Sequence, residues 1–378
     1  MTPRTKLLAA SAEKISDLLS RADIRINGSR PWDIKVMNPL FFHRVLTQGS
    51  LGLGESYMDG WWDCAALDEC ICRILKQDLA HEVGWSLRAL PHIAQTLLHN
   101  PQTLQGSKKV AEQHYDLGND FYVGMLDPSM QYSCGYFKNT EDLAVAQRQK
   151  MDLLCKKLLL KKGGTLLDIG CGWGGLAKFA VEKYDVNVTG VNISEQQIAF
   201  ARDLCRHIPV QILECDYRLV EGTFDKAVSV GMFEHVGPWN YRTFMETIRE
   251  HLKEDGLFVL HTIGQTKSIP WSDPWITRYI FPNSHLPSLR QIAAACEGLF
   301  VIEDVHNFGA YYDLTLLAWH QNFERHWYRF RERYGERFYR MWRYYLLSCA
   351  GAFRARSLQL WQVVLSPTGV SGGYSSHR

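Results

Sequence analysis

The stretch LDIGCGWGGLA, residues 167–177, decides the fold. An apolar strand ending carries an acid, Asp168, and runs into glycines at 170, 172, 174 and 175 before GLAKFAVEKY takes up a helical pattern. Gly170 and Gly172 let the main chain turn tightly and approach a ligand, while Gly174 and Gly175 let the next helix lie close on the sheet. The same glycines also satisfy the G-x-G-x-x-G spacing of nicotinamide-binding loops. Asp168 tips the balance. A carboxylate facing the loop repels a pyrophosphate, but it can accept a hydrogen bond from the ammonium of S-adenosylmethionine, which carries no phosphate.

Working outward, strand and helix patterns alternate from about residue 163: TLLDI, GLAKFAVEKY, VNVTGV, SEQQIAFARDLC, PVQILEC, DKAVSVG, a helix near 239–253, GLFVLHTI, a helix near 287–297, and LFVIEDVHNF. This predicts an α/β fold, a Rossmann-like methyltransferase sheet with helices on both faces. After a long helical insertion at 313–350, LQLWQVVLS at 358–366 can return as an antiparallel edge strand. Residues 1–100 read as a small N-terminal α+β domain: ADIRIN and WDIKVM flank the turn NGSRP, then PLFFHRVLTQ is helical, with further helices after Trp62. A polar linker falls at 101–110, leaving 111–378 as the catalytic domain.

A cofactor should bind at the carboxyl ends of the strands. The second strand ends at Asn192, followed by Gln196 and Gln197, which can hydrogen-bond ribose hydroxyls where a dinucleotide protein has an acid. The third ends at Asp216 and Tyr217, and Asp216 suits an adenine amino group. Ser194 reads equally as a helix cap.

Composition narrows the classes. With 46% hydrophobic and 22% charged residues, the 378-residue chain is of ordinary globular type. Residues 1–20 are interrupted by charges, and no apolar run approaches the ~18 residues that suggest a membrane span. The ten cysteines show no C-x-x-C pair, which argues against a zinc site and for a reduced cytoplasmic chain. Between 320 and 360 there are nine arginines, no lysine and three acids, interleaved with Phe323, Trp327, Phe330, Tyr334, Phe338, Trp342 and Tyr345. Most of these rings read as core, and the exposed arginines as sites for lipid phosphate rather than nucleic acid.

Several separated motifs carry a resemblance: EQHYDLGNDFY at 112–122, MQYSCGYF at 130–137, GMFEHVG at 231–237, LHTIG at 260–264, NFGAYYDLTLLAW at 307–319, and CAGAFRAR with LQLWQVV near the end. With them the chain resembles bacterial cyclopropane-fatty-acyl-phospholipid synthases over nearly its whole length. Its N-terminal domain is similar to those phospholipid enzymes rather than to the related mycolic acid enzymes. The resemblance implies methyl transfer from S-adenosylmethionine to a cis double bond of a phospholipid acyl chain, followed by proton loss and ring closure. It further implies a homodimer docked peripherally on the inner face of a membrane. Residues matching those that hold a bicarbonate base in similar enzymes are Cys134, Glu234, His261, Ile263 and Tyr312, and Tyr132 with Ser133 matches a segment touching the cofactor. Cys349 matches a cysteine once attractive as a nucleophile, yet methyl transfer to an alkene needs no covalent enzyme intermediate, so it reads as structural.

These residue types suit such chemistry. An alkene is a weak nucleophile, which favours a closed pocket that holds the reactants in line. Aromatic faces at Tyr136, Phe137, Tyr311 and Tyr312 can stabilise positive charge without trapping it. Donors from His261, Tyr312 and the amides near Cys134 and Ile263 can cradle a small anion, with Glu234 accepting its hydroxyl proton or orienting His261. Two rival readings remain: a lipid methyltransferase giving a branched or hydroxylated chain, and a noncatalytic lipid- or nucleic-acid-binding protein.

Overall fold

The computed structural model describes residues 3–79 and 117–378. The expected linker and the part of EQHYDLGNDFY before 117 lie outside these residues. The chain divides into two compact units, one of residues 1–99, 270–282 and 316–358, the other of 100–269, 283–315 and 359–378. The first unit thus joins the N-terminal segment to two stretches from the C-terminal part of the sequence.

In the first unit the helices Pro3–Arg21, Leu40–Met58, Leu67–Lys76 and Arg331–Arg354 surround a minimal ribbon, β1 (Lys35–Val36) against β2 (Trp62–Asp63). The segments flanking the turn NGSRP meet at the bridge Ile26–Ile34, where the Asn27 amide donates to the Ile34 carbonyl and the Ile34 amide to the Arg25 carbonyl. Asp33 closes the turn: its buried carboxylate accepts the main-chain amides of Arg25 at 2.8 Å and Arg30 at 3.0 Å.

The second unit is built on β3 (Thr165–Ile169), β4 (Asn187–Asn192), β5 (Val210–Glu214), β6 (Phe224–Val230), β7 (Leu252–Gln265), β8 (Val301–Asn307) and β9 (Leu358–Ser366). They form one seven-stranded sheet in the order β5-β4-β3-β6-β7-β9-β8. Strands β3 to β7 run parallel, and β9 returns antiparallel to β8. The antiparallel return is therefore one place in from the outermost strand, β8. Successive side chains alternate between faces: Leu167, Ile169, Phe258 and Leu260 pack with Phe244 and Ile292, whereas Leu166, Leu257 and Val259 pack with Leu154 and Ala177. Each such buried side chain contributes roughly 1.5–3 kcal/mol. Because the chain winds from β3 toward β5 and then reverses through β6 and β7, a crevice opens at the carboxyl ends of β3 and β6.

Candidate active site

The glycine loop leaves β3 at that crevice. Gly170, Gly172 and Gly174 have φ of +76°, +55° and +82°, a region costly to any side chain with a Cβ. They differ in surroundings. A Cβ on Gly172 would meet nothing within 4 Å, whereas one on Gly175 would lie 2.0 Å from the Ser129 carbonyl oxygen. Gly172 is open toward a ligand, and Gly175 lets the helix Gly175–Tyr184 start against the chain at 129–131. Behind the loop Asp168 is buried, and its Oδ2 has no hydrogen-bond partner among the described residues. Burial raises its pKa to about 7, with Lys150 opposing. A buried carboxylate oxygen left open is a ready acceptor for a cationic ligand group.

The helix Leu143–Lys157 grips the segment that follows Gln131 with two fully buried polar side chains at i and i+3. Gln147 Nε2 donates to the Ser133 carbonyl at 2.8 Å, and Lys150 Nζ donates to Ser133 Oγ at 3.0 Å and to Gln131 Oε1. Burial lowers the Lys150 pKa to about 8, opposed by the charges of Asp127 and Asp168. The Tyr132 ring meets Tyr122 edge-on at 5.4 Å, and Tyr122 lies 5.0 Å from Trp173 of the glycine loop.

The residues expected to hold an anion lie in four parts of this unit, and among them Glu234 and Ile263 are in direct contact. Glu234, on a short turn after β6, is buried; its Oε1 accepts the Ile263 amide at 2.7 Å, and its Oε2 has no partner among the described residues. Desolvation raises its pKa to about 7. The Ile263 amide is therefore engaged by Glu234, whose carboxyl it fixes, and does not stand free as a donor. His261 on β7 is buried, with Nδ1 3.2 Å from Gln362 Nε2 and its own Nε2 without a partner among the described residues. Burial drives its pKa well down, which favours the neutral imidazole. Cys134 is fully buried, and desolvation pushes its thiol up out of reach of ionisation. Beside it the Gly135 amide donates to Thr315 Oγ1 at 3.0 Å. Tyr312 is buried in the first turn of the helix Ala310–His326.

Rings wall this side. Tyr136 stands edge-on to Phe308 at 5.2 Å and to Tyr311 at 5.5 Å; Phe308 contacts the His261 ring at 5.8 Å, and Phe137 lies 6.2 Å from Tyr311.

At the other side of the loop, Asn192 Nδ2 donates to Gln197 Oε1 at 2.8 Å and to the Gly172 carbonyl at 3.3 Å, tying strand end, helix and loop together. Gln197 is buried, while Gln196 is exposed and accepts from Asn119 through its carbonyl. Ser194 occupies the cap position without a side-chain capping bond. Asp216 is held bidentately by Arg218 at 2.7 and 2.8 Å, so an adenine amino group there would share it. Tyr217 is buried against Phe244 at 5.1 Å. Cys349 lies in the other unit, on the helix Arg331–Arg354, and burial pushes its thiol up to about 12, which makes it inert as a nucleophile.

Gln147, Lys150, Thr315 and Gln362 were not visible as site residues from motif spacing. Gln362 carried a signal all the same, as the polar residue inside the stretch LWQVVL, 360–365.

Residues 102–363 match the family model described as mycolic acid cyclopropane synthetase. A cyclopropane-fatty-acyl-phospholipid synthase of Escherichia coli (strain K12) is 53% identical over 358 residues, covering 95% of this chain and 94% of that protein. The solved cyclopropane synthase MmaA2 from Mycobacterium tuberculosis has a TM-score of 0.65 at 30% identity, over 68% of this chain and 97% of that one. Mycolic acid cyclopropane synthase CmaA1 complexed with SAH and CTAB has a TM-score of 0.64 at 32% identity, with the same coverages of 68% and 97%.

Proposed function

The chain belongs to the mycolic acid cyclopropane synthetase family, and from that premise we propose that it is a cyclopropane-fatty-acyl-phospholipid synthase dependent on S-adenosylmethionine. It methylates the cis double bond of an unsaturated phospholipid acyl chain and removes a proton to close the ring. The observation that carries this reading is the 53% identity to the Escherichia coli synthase along 95% of the chain. The chain's own residues fit both small molecules required, since a buried carboxylate oxygen is open beside the glycine loop and a buried carboxyl and imidazole each have an open atom.

Bound S-adenosylmethionine would supply an electrophilic methyl group, and bound bicarbonate a base. Asp168 would accept the ammonium, Gly170 to Gly175 would admit the ligand to the main chain, and Tyr132 and Ser133 would border it. Asn192, Gln196, Gln197, Asp216 and Tyr217 would line the nucleoside end. Glu234, His261 and Tyr312, with the main chain near Cys134, would hold the anion. With its pKa near 7, Glu234 can hold or yield a proton at Oε2, and neutral His261 adds no charge that would block the base. Tyr136, Phe137, Phe308 and Tyr311 would exclude water, and an aromatic face turned toward a developing positive charge stabilises it without offering a nucleophile.

No helix among the described residues is long and apolar enough to cross a membrane. An enzyme acting on bilayer lipid then needs a docking surface, and we assign it to the exposed Arg325, Tyr328, Arg329, Arg331 and Arg333, on a cytoplasmic homodimer bound to the inner membrane face. The test of the reaction is the mass of an unsaturated phospholipid incubated with purified protein and S-adenosylmethionine. A gain of one CH2 with loss of the alkene supports ring formation; a gain of CH4 or of CH2 plus water points to a methyl-branched or hydroxylated product instead.

A further inference from the structure

The amide of Gln362 is placed where only its effect on a neighbour accounts for it. Gln362 is fully buried in β9, where Leu360, Trp361, Val363, Val364 and Leu365 around it are all apolar and buried. Its Nε2 is 3.2 Å from His261 Nδ1, and its Oε1 has no hydrogen-bond partner among the described residues. A core position that served packing alone would favour an apolar side chain, because an amide oxygen buried without a donor is costly.

We propose that Gln362 is a positioning residue that fixes the tautomer of His261, holding the hydrogen on Nε2. An amide nitrogen has hydrogens and no acceptor capacity, so the atom facing it, Nδ1, must accept. In a neutral imidazole the remaining hydrogen then sits on Nε2, the atom without a partner among the described residues. Phe308, edge-on to the imidazole at 5.8 Å, limits rotation of the ring about its side-chain bonds. His261 is thus preset as a donor on its open side, which is what an anion there requires. Without Gln362, the hydrogen is free to move to Nδ1 and Nε2 turns a lone pair toward the anion.

The inference deepens the bicarbonate reading and rests on it for its catalytic consequence, though not for the tautomer itself. The test uses the full chain labelled with 15N-histidine, with the His261 signals identified by their loss in His261→Asn. In the wild type, Nε2 should be protonated and Nδ1 bare. In Gln362→Glu, whose carboxylate offers only acceptors toward the ring, Nδ1 should become protonated. Gln362→Met should lower kcat at least tenfold while leaving S-adenosylhomocysteine affinity within twofold, which also reports that the variant is folded. A wild-type spectrum with the hydrogen on Nδ1, a Gln362→Glu spectrum unchanged from wild type, or a Gln362→Met enzyme with wild-type kcat overturns the proposal. The spectra need neither substrate nor bicarbonate. A protein that shows the stated tautomers but whose activity ignores bicarbonate therefore overturns the reading of the base and supports the role of Gln362 on His261.

Discussion

Asp168 and Glu234 are both carboxyls whose burial raises their pKa to about 7. Between the unfolded values and about 7, the native chain binds more protons than the unfolded one, so each contributes a loss of stability as pH rises through that window. A bound ammonium reverses the preference at Asp168, because it favours the ionised form. The affinity for S-adenosylhomocysteine should accordingly rise with pH up to about 7 and then level off. Asp168→Asn should abolish this dependence and weaken binding at pH 8 by about 10- to 100-fold, the worth of a charged hydrogen bond of ~1.5–3 kcal/mol. Calorimetric titration across pH 5.5 to 8 checks both, and a wild-type affinity that does not change with pH contradicts the assignment. Glu234→Gln and His261→Asn should behave differently. Cofactor affinity should stay within a fewfold while ring formation falls by about 100-fold or more, the usual scale for a lost acid–base group. In carbonate-depleted buffer the wild type should lose activity and regain it on addition of bicarbonate; ring formation undiminished by either treatment would require another base.

At the scale of elements, the glycine loop gives a physical measure to the two roles that the sequence assigns to its glycines. Gly172→Ala must bear a positive φ, at about 1–2 kcal/mol, but has room for its methyl group. It should fold with a modest fall in melting temperature and lose cofactor affinity. Gly175→Ala drives a methyl group to 2.0 Å from the Ser129 carbonyl, so the helix start must shift, and it should lose more stability than Gly172→Ala. Thermal denaturation with and without S-adenosylhomocysteine separates the two effects, and equal melting temperatures would argue against the difference in packing. The strands and helices around the loop were legible because each pairs an apolar run with a turn signal at its end, as TLLDI does with Gly170. Gln147 and Lys150 were not, since a polar pair at i and i+3 on a helix reads as a solvated face until the segment it grips is known. How the turn NGSRP is closed was likewise not legible, since it depends on the Asp33 carboxylate accepting the amides of Arg25 and Arg30. Asp168, Glu234 and His261 were readable as types at strand ends. The engagement of the Ile263 amide by Glu234 depends on packing between β7 and the turn after β6, which no local pattern encodes.

At the scale of the molecule, two groups among the nine arginines between 320 and 360 differ in their physics. Within the first unit Arg337 pairs with Asp59 at 3.0 Å, Arg340 with Asp63 at 3.1 Å and Arg354 with Asp68 at 2.7 Å. Those charges are spent on holding helices together and are poor candidates for lipid. Arg325, Arg329, Arg331 and Arg333 are exposed near Tyr328 in the sequence, and Tyr328 is 71% accessible, while Phe323, Phe330, Trp342 and Tyr345 are buried. An amphipathic ring above a basic rim can seat in the headgroup layer, and each arginine near an anionic surface contributes about 1 kcal/mol. Replacing Arg329, Arg331 and Arg333 by Gln should remove about 3 kcal/mol, weakening binding to anionic vesicles roughly 100-fold at low salt. Binding to neutral vesicles should change little, and turnover of unsaturated phospholipid presented in detergent micelles should be retained, because none of the three lies in the catalytic unit. Raising the salt should bring wild type and triple variant together as the Debye length shrinks below the spacing between side chain and headgroup. Vesicle flotation at two salt concentrations gives the answer: a triple variant that floats with anionic vesicles as well as the wild type at low salt removes this patch as the docking surface.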